Sequence, residues 1–561
     1  MATIFYEYRA HVVSDDAASV PQLRWPRQKQ TLGRWREGWP APNDRSPRFC
    51  ENPSVAVRLW RTFFLAIIGV ALASCATQPA YQRPDIAIIP KWANADLPIP
   101  TAPSTPVTKI EADWWLQLND RAIDEMVRAA LKDNPTLAQA LAAVDAARAN
   151  ASFNNAQRLP QIGVSATAAR AQIPNPLPVA APFTILENSQ SLGPRLSWEL
   201  DLWGRLQQSA LAAQDRLDAR TADAEQTRLV LIAQISDGVL GLRACKYALL
   251  VRDRDLNSRQ LELELMVKRR IAGNVAPVDE ASAIADLANA RTARISQQEA
   301  CDRNVDALVA LSGLGAIAVR ALVTTAPTDE IESVDSPILS LADGGGIPTP
   351  PSSQLAVPAS ILLHHPAVVS AEREAAARWS EIAVARADRL PRIDLGAALS
   401  GNWLQAFGES VSFQTWSLDG TLSAPLFDGG AGAARVAGSQ ALYRQAVANL
   451  QAAVREAAQN VEDALAAQAS AIGRLETSRQ AVEAGQRRLR AKEAQWRAGA
   501  INLFELEDAR RTFNNAQQDA VSAARDRAQA WVDLIRASGG GTDGSIPTAE
   551  SFNTFLGKQH G

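Results

Sequence analysis

The chain is poor in the residues that most metal and acid–base sites use. Its 561 residues include only four histidines and four cysteines. His364 and His365 are adjacent, and consecutive residues cannot share a helix face, so a metal site there is not expected. The sequence also contains no Walker loop, dinucleotide fingerprint or nucleophile elbow. We therefore expect a protein that is not an enzyme and that has no cofactor and no metal.

The chain also lacks an excess of charge and a long apolar run. Its 57 basic and 60 acidic residues leave a formal net charge of −3, so no nucleic-acid partner is expected. No apolar run reaches the ~20 residues of a bilayer-spanning helix. If the chain crosses a membrane, we expect strands to do so.

A duplication is the main feature that the chain does contain. Arg158–Pro160 recurs as Arg389–Pro391, and Ala272-Gly273 recurs as Ala498-Gly499 at nearly the same offset. Each copy is predicted to run helix, two strands, very long helix, glycine turn, helix. The two offsets are 231 and 226 residues. The modules of solenoid proteins repeat every roughly 20–50 residues, so this repeat is too long for a solenoid and indicates a duplicated half-protein.

An export signal precedes the two copies. Two arginines come before an apolar segment, Phe63–Leu72, which ends in Leu-Ala-Ser-Cys with cleavage expected between Ser74 and Cys75. The tetrapeptide resembles a bacterial lipobox, in which the cysteine is lipidated and becomes the mature N-terminus. Several acyl chains on Cys75 would give stable anchoring. The alternative is a buried hydrophobic helix with a chance cysteine.

Expected segment boundaries follow from the signal and the copies. A signal should begin a chain, so residues 1–54 are expected to be a non-native extension from a start codon placed too far upstream. A disordered extension is the alternative. In chain order, the other expected segments are the signal peptide 55–74, the first repeat 75–337, a linker 338–358, the second repeat 359–537 and a flexible tail 538–561.

Strict alternation of apolar and polar residues predicts the strands. In the first copy Leu196, Trp198 and Leu200 alternate with Ser197 and Glu199, and the second copy repeats the pattern around Trp416. Each strand has roughly the 9–11 residues that a membrane crossing needs. The alternative is a small soluble sheet with one face exposed to water, and the composition alone favours this sheet over membrane strands. Four strands cannot close a transmembrane barrel, whereas three chains would supply twelve.

Proline-free stretches predict two helices of unusual length. No proline occurs between Gly204 and Pro277 or within 431–497, and a helix of that size spans roughly 100 Å. Near-heptad spacing of Val447, Leu450 and Val454 indicates packing against other helices. A lipid-anchored periplasmic coiled-coil protein that makes no pore would share these helices.

The glycine turns also place two cysteines opposite each other. Cys245 precedes Gly273 by the same number of residues as Cys301 follows it. In an antiparallel hairpin such positions face each other, and an oxidising compartment would permit a disulfide. Two inert buried thiols at chance spacing are the alternative.

Several motifs resemble the TolC-like outer-membrane factor family, in its lipoprotein (NodT or OprM-like) branch. They are Trp114-Trp115, Asn134–Leu137, Ser197–Gly204 and Ala424–Gly430, and the resemblance covers about residues 75–537. It implies a mainly α fold with membrane β structure. Each chain would contribute four strands to a homotrimeric 12-stranded outer-membrane barrel, continued by a periplasmic α-helical barrel.

The resemblance also implies a function. The chain would be the exit duct of a tripartite efflux system, lipid-anchored in the outer membrane and extending into the periplasm. Small molecules would pass through it from an inner-membrane efflux transporter and a periplasmic adaptor protein. An exit duct for type I protein secretion is the nearer alternative, and the coiled-coil structural protein is the more distant one.

Finally, the resemblance assigns roles to the two glycine turns. Asp279, Glu505 and Asp508 match the family's pore-gate carboxylates, and three chains would gather enough of them to favour cations at a narrow opening. An ordinary solvated acidic helix face is the alternative. The residues that match the adaptor-contacting tips are Gly273, Asn274, Val275, Gly499, Ala500 and Ile501.

One tip residue departs from the family pattern. Many members carry an arginine two residues after the second glycine, where it pairs with the acid of the first copy to lock the gate. This chain has Ile501 there, and Arg497 near the same turn is a candidate substitute. We therefore expect a different or weaker lock.

Overall fold

A computed structural model of the chain describes residues 79–86, 91–94, 112–174, 184–324, 346–351, 359–406 and 408–540. All of them lie in one unit, Ser74–Gly561. The predicted extension 1–54, the signal peptide, Cys75, most of the linker 338–358 and most of the tail 538–561 fall outside the described residues.

The described elements follow the predicted order twice. The first copy consists of α1 (Arg121–Asp133), α2 (Pro135–Ala156), β1 (Gln161–Pro174), β2 (Thr184–Leu200), α3 (Arg205–Ile271), α4 (Pro277–Ser312) and α5 (Ala316–Thr324). The second copy consists of α6 (Pro366–Ala387), β3 (Arg392–Ala406), β4 (Glu409–Ser423), α7 (Ala431–Arg497) and α8 (Leu503–Ala537). Short 3-10 helices, Trp114–Leu118 and Ala359–His364, precede α1 and α6.

The helix after each Asn-Pro or His-Pro pair begins with the same cap. The Asn134 side chain accepts hydrogen bonds from the backbone N–H groups of Thr136 (2.9 Å) and Leu137 (3.1 Å). His365 Nδ1 accepts one from Ala367 N–H at 3.3 Å. Burial lowers the pKa of His365 to about 4, so its imidazole is neutral and able to accept. The repeated pair is thus a helix-start signal, with proline at the first helical position.

The four strands form one antiparallel sheet in the order β1-β2-β3-β4. The ladders run from Gln161↔Ser197 in the first pair to Arg392↔Ser423 in the last. The strands contain 14, 17, 15 and 15 residues, longer than the predicted length, because pairing extends beyond the alternating segments. Within the described residues, β1 and β4 each pair on one side only, which leaves two open edges.

The motif Ser197–Gly204 forms the junction between the sheet and α3. Glu199 pairs with Arg205 at 2.7 Å, and the Asp201 carboxylate accepts from the backbone N–H groups of Leu206 (3.1 Å) and Gln207 (2.8 Å). Trp203 Nε1 donates to the carbonyl of Pro391 at 2.5 Å, across to the second copy. These residues therefore start α3 and tie its first turn to the sheet.

The long helices α3 and α7 contain 67 residues each, as their lack of proline predicts, and extend over roughly 100 Å. Each reverses into a shorter antiparallel partner, α4 or α8. A buried core joins helices of both copies, with Trp114 and Trp531 at a centroid distance of 5.9 Å. Cys245 of α3 and Cys301 of α4 form a disulfide with Cα atoms 5.5 Å apart.

No single helix in the described part of the chain is long and apolar enough to cross a membrane. The pair Pro277–Ser312 and Ala316–Val323, which bends by 110°, meets the criteria of length and composition only when the two helices are taken together.

One buried carboxylate in the middle of α3 has no hydrogen-bond partner for an oxygen atom. Asp237 Oδ1 is buried and unpartnered within the described residues. The pKa of Asp237 is raised to about 7, chiefly by burial and in addition by the negative charge of Asp533, while the positive charge of Arg536 opposes the shift. Because the folded pKa lies above the unfolded value of about 3.9, folding favours the protonated form.

We predict that Asp237 weakens the fold as the pH rises. The stability that its protonated form contributes is complete below about pH 4 and is lost as the pH rises through about 7. Asp237→Asn should raise the free energy of unfolding at pH 8 by on the order of 2–3 kcal/mol and flatten its pH dependence. Denaturant unfolding across pH 4–8 measures this. Asp223→Asn, at a more exposed site on α3, is the control, and an unchanged pH slope in the Asp237 variant would contradict the prediction.

Candidate functional site at the helical hairpin tips

Both glycine turns have the same backbone hydrogen bonds. At the first tip, Asn274 N–H donates to the Arg269 carbonyl (2.8 Å) and Gly273 N–H to the Arg270 carbonyl (2.9 Å). At the second tip, Ala500 N–H donates to the Gln495 carbonyl at 2.8 Å. This six-to-one bond is the Schellman pattern, which satisfies the last carbonyls of a helix and turns the chain back. The repeated glycine is therefore a helix stop.

The turn conformation requires glycine at both positions. Gly273 and Gly499 have φ values of +76° and +71°, in the left-handed region. A Cβ atom added at either position would meet no heavy atom within 4 Å. Any side chain is therefore disfavoured by the backbone conformation alone, by about 1–2 kcal/mol.

Short polar side chains start the returning helices. Asp279 Oδ2 accepts a hydrogen bond from Ala276 N–H at 3.1 Å, and the Asn502 side chain accepts one from Glu505 N–H at 3.0 Å. These bonds satisfy amide groups that a helix start leaves open. Asp279, predicted as a gate residue, thus also caps the turn before α4.

The structure pairs the other two predicted gate carboxylates within their own hairpin. Lys492 Nζ lies 2.9 Å from Glu505, and Arg488 Nη2 lies 2.9 Å from Asp508. Both carboxylates lie on the exposed surface of this single chain. Their charges are consequently offset in part by bases of α7. Within the described part of this single chain Arg497 makes no ion pair, and its part in a lock stays a prediction.

The two hairpins contact each other near their tips through apolar side chains. Met266 and Ala283 of the first hairpin and Leu503 and Leu506 of the second are buried in one cluster. The partly buried residues packed against it are Leu263, Leu265, Val275, Leu489 and Ile501. Ile501 therefore packs against the apolar cluster that joins the hairpins, at the position where the family pattern has an arginine.

The two hairpins also share a buried polar contact, close to this apolar cluster; we call the cluster and this contact the seam between the hairpins. Glu507 of α8 is 3% exposed, accepts a hydrogen bond from Ser258 Oγ of α3, and is 2.9 Å from Arg510 Nη1. Glu262 of α3, also 3% exposed, lies 3.2 Å from Arg259. Burial raises the pKa of Glu262; the positive charge of Arg259 opposes this shift, and the negative charge of Glu507 adds to it.

The motifs did not reveal these partners, although a count from the turns would have found some of them. Lys492 precedes Gly499 by almost the same number of residues as Glu505 follows it. The same symmetry about Gly273 predicted the pairing of the two cysteines. The Ser258–Glu507 contact joins different hairpins, so no count from one turn can locate it.

Comparisons with known proteins fit this geometry. The family model described as outer membrane efflux protein matches residues 126–314 and 357–540. Outer membrane protein OprJ of Pseudomonas aeruginosa is 27% identical over 479 residues, covering 85% of this chain and 95% of OprJ. Nodulation protein T of Rhizobium leguminosarum is 24% identical, covering 85% and 92%.

Solved structures share the fold. The outer-membrane channel OprN superposes with a TM-score of 0.70 at 25% identity, covering 83% of this chain and 99% of that one. The CmeC outer membrane channel of Campylobacter jejuni gives a TM-score of 0.74 at 20% identity, covering 86% and 98%.

We predict that the buried Glu507 holds the hairpins together more strongly than the exposed Glu505, two residues away. Glu507→Ala should leave Ser258 and Arg510 without this partner and lower the free energy of local opening by about 1–3 kcal/mol. Glu505→Ala, the matched control, should cost less than about 1 kcal/mol because an exposed ion pair contributes little. Amide hydrogen exchange in the first turns of α8 measures both changes. Equal exchange rates in the two variants would refute the difference.

Proposed function

Because the chain belongs to the outer membrane efflux protein family, we propose that it is the outer-membrane exit duct of a tripartite efflux system. The family that its motifs resemble is confirmed by this match. In our proposal the duct passively conducts small molecules to the exterior. An inner-membrane efflux transporter supplies the energy, and a periplasmic adaptor protein links it to the duct.

The open-edged sheet is the observation that carries this proposal. Large apolar side chains are exposed on its strands, including Ile162 (75%), Trp416 (79%) and Leu418 (75%). Exposed apolar residues together with two open edges are costly in water. In a bilayer the same side chains would contact lipid, but the open edges would need partners. Three chains, with twelve strands, would supply those partners and close a barrel.

In a trimer the long hairpins would continue this barrel into the periplasm. Six hairpins would then surround one tunnel, with the turns Gly273–Val275 and Gly499–Ile501 at its far end. These turns are the surface that we propose for the adaptor, since they are exposed or half-buried in the single chain.

We propose that Asp279, Glu505 and Asp508 line the gate at that end. Three copies of each carboxylate around a narrow opening would favour cations. Lys492 and Arg488 moderate this preference, because each pairs with one of the carboxylates. The hairpin contact made by Ile501 and its apolar neighbours would hold the closed state in place of a charged lock.

The periplasmic location also accounts for two cysteine features. We propose that Cys75 is lipidated and anchors the duct to the outer membrane. The Cys245–Cys301 disulfide would form in the same oxidising compartment. Mass spectrometry of the mature protein tests both, through an acylated N-terminal cysteine and a disulfide-linked pair of peptides.

Planar-bilayer recordings test the channel function and the gate together. We expect the purified trimer to form channels, and Glu505→Gln combined with Asp508→Asn to lower the cation-to-anion permeability ratio by a factor of about two or more. The control is Glu299→Gln, an exposed acid of α4 that lies far along the helix from the turn at Gly273. A monomeric protein without channels would refute the proposed function. Channels with unchanged ion selectivity would refute only the gate assignment.

A further inference from the structure

The residues before the first helix lie against the second copy of the repeat. We call residues 79–86 and 91–94 the strap. At its start the Pro79 carbonyl accepts a hydrogen bond from Trp379 Nε1 of α6 at 3.1 Å. The Trp379 ring contacts Tyr443 of α7 at a centroid distance of 5.1 Å. The strap therefore begins on the seam between α6 and α7.

The next part of the strap is packed into the same seam. Burial raises the pKa of the Tyr81 hydroxyl well above its ordinary value, and the neighbouring charges of Glu372 and Tyr443 add to the shift. Ile86 packs against a buried apolar cluster of the second copy. This part of the strap thus lies along α6 and α7, with the side chains of Tyr81 and Ile86 half-buried.

Trp92 is the strap's largest buried side chain. It is 5% exposed and sits in a cluster that contains Val368 of α6, Val461 of α7 and Leu534 of α8. One indole ring therefore packs with three helices of the second copy. The large apolar surface of tryptophan makes it an effective anchor in a pocket of this kind.

The carboxylate of Glu462 holds the backbone just after this ring. Its Oε1 accepts from Ala93 N–H at 2.7 Å, and its Oε2 accepts from Asn94 N–H at 3.0 Å. Asn94 Nδ2 donates to the Glu462 carbonyl at 3.2 Å. Hydrogen bonds to an ionised acceptor are stronger than neutral ones, and this carboxylate receives two from consecutive amides. Glu462 therefore holds the strap through main-chain N–H groups, and this contact does not need a charged side chain on the strap.

We propose that α6, α7 and α8 form a binding site for the chain's own strap, with Trp92 and Glu462 as its clamp. The strap begins four residues after Cys75, and four extended residues reach at most about 14 Å. A lipid on Cys75 would therefore be held close to the Trp379 contact. Any pull from the membrane would pass through the clamp to the helices of the second copy. This anchoring role depends on the proposed lipidation of Cys75, whereas the clamp does not.

Limited digestion of the full-length protein with trypsin tests the clamp. The Lys91–Trp92 bond lies between an exposed lysine and the buried ring, so cleavage there requires the strap to leave its site. We expect Glu462→Ala to increase the rate of this cleavage by about tenfold or more, read by mass spectrometry as a new N-terminus at Trp92. Glu456→Ala, at an exposed position of α7 outside the strap contacts, is the matched control and should be cut at the wild-type rate. An unchanged rate in Glu462→Ala would overturn the clamp.

Amide hydrogen exchange provides a second measurement. The Ala93 and Asn94 amides should exchange about tenfold or more faster in Glu462→Ala, and likewise in Trp92→Ala, while the α3 core amides keep their wild-type protection. Retained protection at Ala93 and Asn94 in both variants would refute the clamp.

The anchoring role has a separate test. Cys75→Ala should keep the slow Lys91 cleavage, and the barrel should keep the body of the protein in the membrane. After cleavage at Lys91 in the Glu462→Ala background, the Cys75–Lys91 peptide should stay with the membrane through a high-salt wash when Cys75 is lipidated, and it should be washed away when Cys75→Ala is also present. An unlipidated wild-type protein would refute the anchoring role and leave the clamp intact. Absence of channels would refute the proposed function, and the cleavage rates would still decide the clamp.

Discussion

Each helical hairpin depends on the register that its glycine turn sets. Gly273 and Gly499 stop helices of 67 residues in the same Schellman geometry, and an antiparallel partner then returns alongside. Every contact along a hairpin follows from that register. Cys245 meets Cys301 because they lie equally far from Gly273, and Lys492 meets Glu505 because they lie almost equally far from Gly499. A single residue inserted between a turn and these contacts would rotate one helix by about 100° relative to its partner.

The two copies share this frame but differ in their contacts. Ion pairs at the tips stay within one hairpin, whereas the contacts between hairpins are the apolar cluster around Met266 and Leu506 and the buried Ser258–Glu507 hydrogen bond. Exposed ion pairs contribute little, whereas a buried carboxylate left without its partner is costly. The buried contacts of the seam therefore contribute more than the ion pairs to holding the two hairpin tips together. Ile501 packs against the apolar part of this seam, at the position where the family pattern has arginine.

The strap makes the copies unequal in another way. It precedes the first helix of the first copy, yet Trp92 and Glu462 fasten it to helices of the second copy. The second copy thus contacts the strap. It also contacts the junction between the sheet and α3, through the hydrogen bond from Trp203 to Pro391. The duplication produces two copies with similar helices and strands, and contacts between distant parts of the chain make the surroundings of the two copies different.

Local signals in the sequence determined most of the fold. The absence of proline predicted the long helices, alternation predicted the strands, and the glycines predicted the turns, because each signal acts on the backbone within a few residues. The same signals placed Asp279, Glu505 and Asp508 beside the turns. Only the tertiary structure decided the contacts between the two hairpins, the burial of Glu262 and Glu507, and the hydrogen bond from Ala93 to Glu462, which lies 369 residues away. Such contacts depend on how whole helices pack, and no periodicity in one segment encodes the position of another.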